Sequence, residues 1–255
     1  MKGRILWRHG TGRGKKGRMS DPLNVVPRRL VPIAGTLAWL PADLPPSEQM
    51  IPLGAEHAAE LAASGPTPRL DALAEELRPR LDHGRGFALL RGLPMGEDPA
   101  APLQALAARV GTPVPPGPAT GSRHVEACDI LLLRATAPAS TVLRAAAGVH
   151  NALLRSDRAA LAALYEARGE PPVPVFCHDG GVFAARWDDA VLPPDRLPSA
   201  LPEALGEGLP LNLRTGDILA LNPFLVWADR VPGAIVAACR AEPSRLDSAA
   251  FAGLA

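Results

Sequence analysis

Residues 124–141 read HVEACDILLLRATAPAST, and the reading of this stretch decides the fold. It opens on a His-x-Glu pair, His124 and Glu126, runs into an apolar β-like segment, and ends in a Pro/Ala/Ser/Thr turn. Residues two apart on a strand point to the same face, so an imidazole nitrogen of His124 and a carboxylate oxygen of Glu126 could meet one metal ion. They would be two of the three donors of the 2-His-1-carboxylate triad that holds non-haem Fe(II). The alternative is a polar loop pair ahead of a strand. Both stay open at this point.

Working outward toward the N-terminus, GRGFALLRGLP (84–94) is a β-run bounded by glycines and a proline. Before it, Leu70, Leu73, Leu77 and Leu81 recur at helical spacing, with Gly84 as a stop and Pro79 set to bend the last turn. After it, Leu103, Leu106 and Val110 mark a second helix closed by Gly111. Residues 112–123 read as a loop. Residues 20–68 show little periodicity, with Trp39 and Leu40 anchoring an irregular cover over the core.

Toward the C-terminus, two helical patterns cover roughly 144–154 and 157–167, the second started by Ser156 or Asp157. Short apolar runs follow at 172–177, 181–187, 209–213, 217–222, 225–229 and 234–240, with HDGG (178–181) as a hairpin turn. Short strands at such spacing argue for a sandwich or jelly roll.

Composition narrows the class. A 255-residue chain with 47% hydrophobic and 21% charged residues is ordinary for one globular core. Its 29 prolines and 24 glycines predict short, interrupted elements. No apolar run approaches eighteen residues, so no membrane helix is expected. Cys128, Cys177 and Cys239 lack metal-type spacing, and an odd count without a signal peptide points to reduced thiols in a cytoplasmic protein. Residues 1–18 carry seven basic residues and no acid, while the whole chain has a net charge of only +1. The acidic remainder argues against a nucleic-acid partner. Residues 1–19 read as a basic disordered leader, and 20–255 as a single domain with a helical insert at about 144–167.

In its order of pieces the chain resembles the taurine dioxygenase / 2,4-dichlorophenoxyacetate dioxygenase family of Fe(II)- and 2-oxoglutarate-dependent oxygenases, related to clavaminate synthase. GFALLRGLP (86–94) is similar to the strand that opens the family's core. LLLRATAPAST (131–141) resembles a segment ending in a Gly-Gly-x-Ser/Thr turn, and AAAGVHNALLRSDRAALAALYE (145–166) the helical insert after it. LNLRTGDILALNPFLVWADR (211–230) resembles the family's strand pair ending in His-x-Arg, and AIVAACR (234–240) the strand bearing the 2-oxoglutarate arginine. The resemblance implies an α+β fold with a double-stranded β-helix (jelly-roll) core and flanking helices. It implies Fe(II) on His124 and Glu126, 2-oxoglutarate on Thr141 and Arg240, and hydroxylation of a small organic molecule.

The chain departs from that pattern in three places. No histidine follows His178, and Trp227-Ala228 stands where the distal iron ligand belongs. The segment from His124 to Thr141 is shorter than the pattern requires. Pro138 and Ala139 replace the paired glycines. His178, Asp179 and Asp229 are substitutes by residue type, and His150 reads as structural. Two readings follow, a working oxygenase with a hidden third ligand, or a member without the iron centre that binds small anions or other proteins. A centre plugged by Trp227 would favour the second.

Overall fold

A computed structural model describes residues 30–62, 65–117, 121–189 and 197–254; the basic leader expected at 1–19 lies outside them. The first elements are α1 (Pro46–Gln49), β1 (Met50–Pro52), α2 (Ala55–Ala62), α3 (Pro68–Asp82), β2 (Phe87–Arg91), α4 (Ala101–Val110) and β3 (Thr112–Val114). The middle of the chain supplies β4 (Ile130–Arg134), β5 (Ala139–Ala145), α5 (Ala146–Ser156), α6 (Arg158–Leu164), β6 (Phe176–Asp179) and β7 (Val182–Ala185). The last are α7 (Leu201–Leu205), β8 (Leu209–Leu213), β9 (Ile218–Leu221), β10 (Val226–Ala228) and β11 (Ile235–Arg240).

Period-two patterning organises these into layers. The large sheet has the order β1-β2-β9-β4-β11-β3, antiparallel except for β1 beside β2. Phe87, Leu89, Leu131, Leu133, Leu219 and Leu221 face one way and join the main core. Their neighbours Ala88, Leu90, Ile130, Leu132, Ile218 and Ala220 face the other way, toward α3 and α4. One residue of offset along each strand thus assigns every side chain to a layer. The main core also takes Leu143 and Ala145 from β5, Leu209, Leu211 and Leu213 from β8, and Val226 to Ala228 from β10. Those three strands form a second antiparallel sheet, β10-β5-β8, and β6 and β7 form a hairpin of their own. Each large apolar side chain fully buried between the sheets contributes about 1.5–3 kcal/mol.

The helices follow their predicted faces. Leu70, Leu73, Ala74, Leu77 and Leu81 are the buried stripe of α3, which carries Pro79 inside its last turn. Leu103, Leu106, Ala107 and Val110 are the stripe of α4. Asp157 caps α6, its side chain accepting the Ala160 N–H at 2.9 Å. Trp39 anchors the N-terminal cover as expected, donating from Nε1 to the Arg85 carbonyl at 2.8 Å, but Leu40 is 54% exposed.

Four expectations are corrected. The Pro/Ala/Ser/Thr turn placed at 138–141 instead runs into strand β5 from Ala139, where Thr141, Leu143 and Ala145 point inward. The helix expected from about 144 starts at Ala146, because Arg144 and Ala145 pair with Trp227 and Val226. In HDGG only Gly180 and Gly181, at φ 56° and 84°, make the turn, and His178 and Asp179 belong to β6. The segments at 55–62 and 112–114, read as aperiodic, form α2 and β3.

Candidate functional site

His124 and Glu126 stand on the segment leading into β4, clipped to the end of β10. His124 N–H donates to the Ala228 carbonyl at 2.9 Å, and Arg230 N–H donates to the Ser122 carbonyl at 2.9 Å. Both side chains are buried, at 1% and 5% exposure. They face each other as the i, i+2 spacing predicts, with His124 Nδ1 lying 3.1 Å from Glu126 Oε1. The other ring nitrogen, Nε2, accepts the Val231 backbone N–H at 3.1 Å. This pattern assigns the tautomer, with Nδ1–H donating to the carboxylate and Nε2 serving as acceptor.

Arg230 completes the arrangement. Its Nη1 lies 3.4 Å from Glu126 Oε1, and its Nη2 donates to the Arg123 carbonyl at 2.7 Å. Burial alone would raise the Glu126 carboxyl. That is the largest single influence, and the His124 hydrogen bond, the electrostatics of the His124 ring and the Arg230 charge together outweigh it and hold the carboxyl below its ordinary value. Glu126 Oε2 is buried and has no hydrogen-bond partner among the described residues.

The site fails the donor test for Fe(II). His124 has no free nitrogen, and one oxygen of Glu126 is the sole uncommitted donor of the pair. Among the described residues no group of three or more His, Cys, Asp or Glu side chains could hold a metal ion. Trp227, which the sequence resemblance sets against a second imidazole, is fully buried. Its ring packs against Phe176 at 5.7 Å and edge-on against Trp187 at 5.3 Å between centroids. The substitutes by type are engaged or distant from the pair. Asp229 holds Arg144 Nη1 at 3.0 Å. His150 lies buried between Asn151 and Tyr165, and His178 and Asp179 are exposed on the hairpin.

The two residues nominated for 2-oxoglutarate are not brought together. Thr141 Oγ1 donates to the Asp229 carbonyl at 2.6 Å inside the fold. Arg240 pairs with Asp247 at 2.6 Å and lines a separate groove of about 530 Å³ with Arg78 and Thr112, which Thr141 does not reach.

Sequence reasoning missed the arginines that surround the pair. Arg123 lies over the Trp187 ring at 4.5 Å and pairs with Asp189 at 2.8 Å. Arg186 pairs with Asp188 at 3.4 Å, and burial draws its guanidinium below the ordinary arginine value. Asp188 and Asp189 adjoin in the sequence, as do Asp229 and Arg230, but nothing in the one-dimensional pattern brings the two pairs together.

This layered arrangement of antiparallel sheets and helices is the fold of the non-heme iron oxygenases. Among solved structures, asparagine oxygenase (AsnO) matches with a TM-score of 0.53 and 16% identity, covering 80% of this chain and 97% of that one. The non-heme iron oxygenase OrfP in complex with Fe matches with a TM-score of 0.52 and 18% identity, over 78% of this chain and 97% of that one. No family model matches the sequence, and no curated protein matches it. The likeness is therefore one of fold. No helix among the described residues is long and apolar enough to cross a membrane.

Proposed function

We propose that this chain is a divergent jelly-roll relative of the taurine dioxygenase family that has given up Fe(II) and 2-oxoglutarate and serves as a binding module. Residues 20–255 form the module, and the compartment is the cytoplasm, in keeping with three buried cysteines that form no disulfide among the described residues. The observation that carries the reading is the commitment of both His124 ring nitrogens to protein partners, Glu126 and the Val231 N–H. An iron ligand needs an open lone pair, and here the lone pair already accepts a hydrogen bond. Trp227 supports the same reading by filling the position of the second imidazole with an indole that cannot ligate. The separation of Thr141 from Arg240 leaves no joint cradle for the oxo-acid.

The competing reading is an oxygenase acting on a small molecule, as the names of OrfP and asparagine oxygenase suggest for those proteins. The free Oε2 of Glu126 is the feature that favours it. Anaerobic titration of the full chain with Fe(II) and 2-oxoglutarate separates the two. The binding-module reading expects no visible charge-transfer band and no thermal stabilisation. A band that disappears in His124→Ala would establish the oxygenase instead.

A further inference from the structure

One face of the β6–β7 hairpin is covered only along half its length. Cys177 and Ala184 sit opposite each other in register and are buried against Phe224, Leu246 and Phe251. The next pair outward on that face is Asp179 opposite Val182, and here the cover ends, leaving Val182 51% exposed. A cavity of about 370 Å³ opens at this point, with Leu37, Ala184 and Pro243 among its apolar walls. That volume suits a compact small molecule.

The charges at the cavity nearly cancel, with one exception. Arg245 spends its guanidinium on the Asp82 carboxylate, on the Asp82 carbonyl at 3.0 Å and on the Phe183 carbonyl at 3.3 Å. His83 lies 3.3 Å from the same Asp82 carboxylate. Asp179 faces the cavity and pairs with no cation among the described residues. Ser248, also lining it, has a buried hydroxyl without a hydrogen-bond partner. The cavity thus combines an apolar floor, one uncompensated carboxylate and one unused hydroxyl.

We propose that this cavity binds a small monocationic amine with a compact apolar body. The body covers Val182 and removes its apolar surface from water, the ammonium pairs with Asp179, and Ser248 Oγ completes the polar contacts. An anionic ligand of the same shape meets the Asp179 charge and finds Arg245 already neutralised. The site shares no residue with His124, Glu126, Thr141 or Arg240, so it supplies a ligand for the binding role without depending on the fate of the iron centre.

Calorimetric titration of the metal-free full chain with 2-phenylethylamine, and with 3-phenylpropionate as an acid of similar body, tests the proposal. The expected result is saturable one-to-one binding of the amine, with the acid weaker by about fivefold or more. Asp179→Asn should weaken the amine about fivefold, the loss of one exposed charge pair. Val182→Lys, which sets an ammonium opposite Asp179, should abolish binding. Both positions are exposed, so both variants fold. No saturable amine binding, equal affinity for amine and acid, or unchanged affinity in both variants would overturn it. Because no metal is present, these outcomes read independently of the iron titration.

Discussion

Trp227 sets its indole edge-on against Trp187, with ring centroids 5.3 Å apart and planes at 79°. Phe176 closes the other side at 5.7 Å. The geometry is the favoured one for aromatic pairs, and it makes Trp227 a keystone between β10 and the hairpin. Trp227→Ala is expected to lower unfolding stability by about 3–5 kcal/mol, read from urea denaturation. A loss under about 1 kcal/mol would mean that the indole only caps an open cavity. Trp227→His is expected to gain no Fe(II) binding, because His124 remains committed.

Glu126 predicts an acid limb. Its carboxyl titrates lower in the folded chain than in the unfolded one, so the unfolded state holds the proton more tightly. The stabilisation is therefore complete above the ordinary glutamate value, about 4.3, and is lost as pH falls through the lower folded value. Unfolding free energies measured across the acid range should fall more steeply for the native chain than for Glu126→Gln. Parallel curves would show that Glu126 is not the group responsible.

The buried thiols should be inert. Burial pushes the Cys239 thiol up to about 12, and burial together with the nearby Glu126 and Asp129 charges raises Cys128 well above the ordinary value. The thiolate is the reactive form, so a thiol-specific reagent at mildly alkaline pH should leave both unlabelled until denaturant is added. Rapid labelling of either residue in the native state would contradict the packing around β4 and β11.

Gly92 holds β1 beside β2. Its φ is 125°, and a Cβ there would stand 2.2 Å from the Leu53 carbonyl oxygen, next to the Leu53 N–H bond to the Arg91 carbonyl at 2.7 Å. Gly92→Ala combines backbone strain with a backbone clash and should cost roughly 1–3 kcal/mol or more. Hydrogen exchange should localise the loosening to residues 50–53 and 87–91. Native stability in this variant would mean that β1 detaches at no cost.

The sequence by itself determined the elements whose periodicity is strong and local. The leucine stripes of α3 and α4, the Asp157 cap and the apolar runs that became β2, β4, β8, β9 and β11 were all legible, because side-chain spacing along one segment reports which face is buried. The absence of a histidine after His178 was equally plain, and so was the Trp227-Ala228 pair in its place. Segments dominated by Ala, Pro and Ser hid their structure. In β5 a polar Thr141 faces inward and an apolar Val142 faces outward, which breaks the alternation at the start of the strand. Only the tertiary structure decided the state of the His124–Glu126 pair. Their shared face followed from the i, i+2 spacing, but Val231 and Arg230, which consume the ring nitrogen and share the carboxylate, lie more than a hundred residues away. The same holds for Thr141 and Arg240, set apart by sheet pairing with Thr141 inside the fold and Arg240 in a separate groove, and for the half-covered face that leaves Asp179 beside Val182. A ligand set or a cavity is a relation between distant segments, and hydrogen-bond partners across such distances are chosen by packing rather than by local pattern.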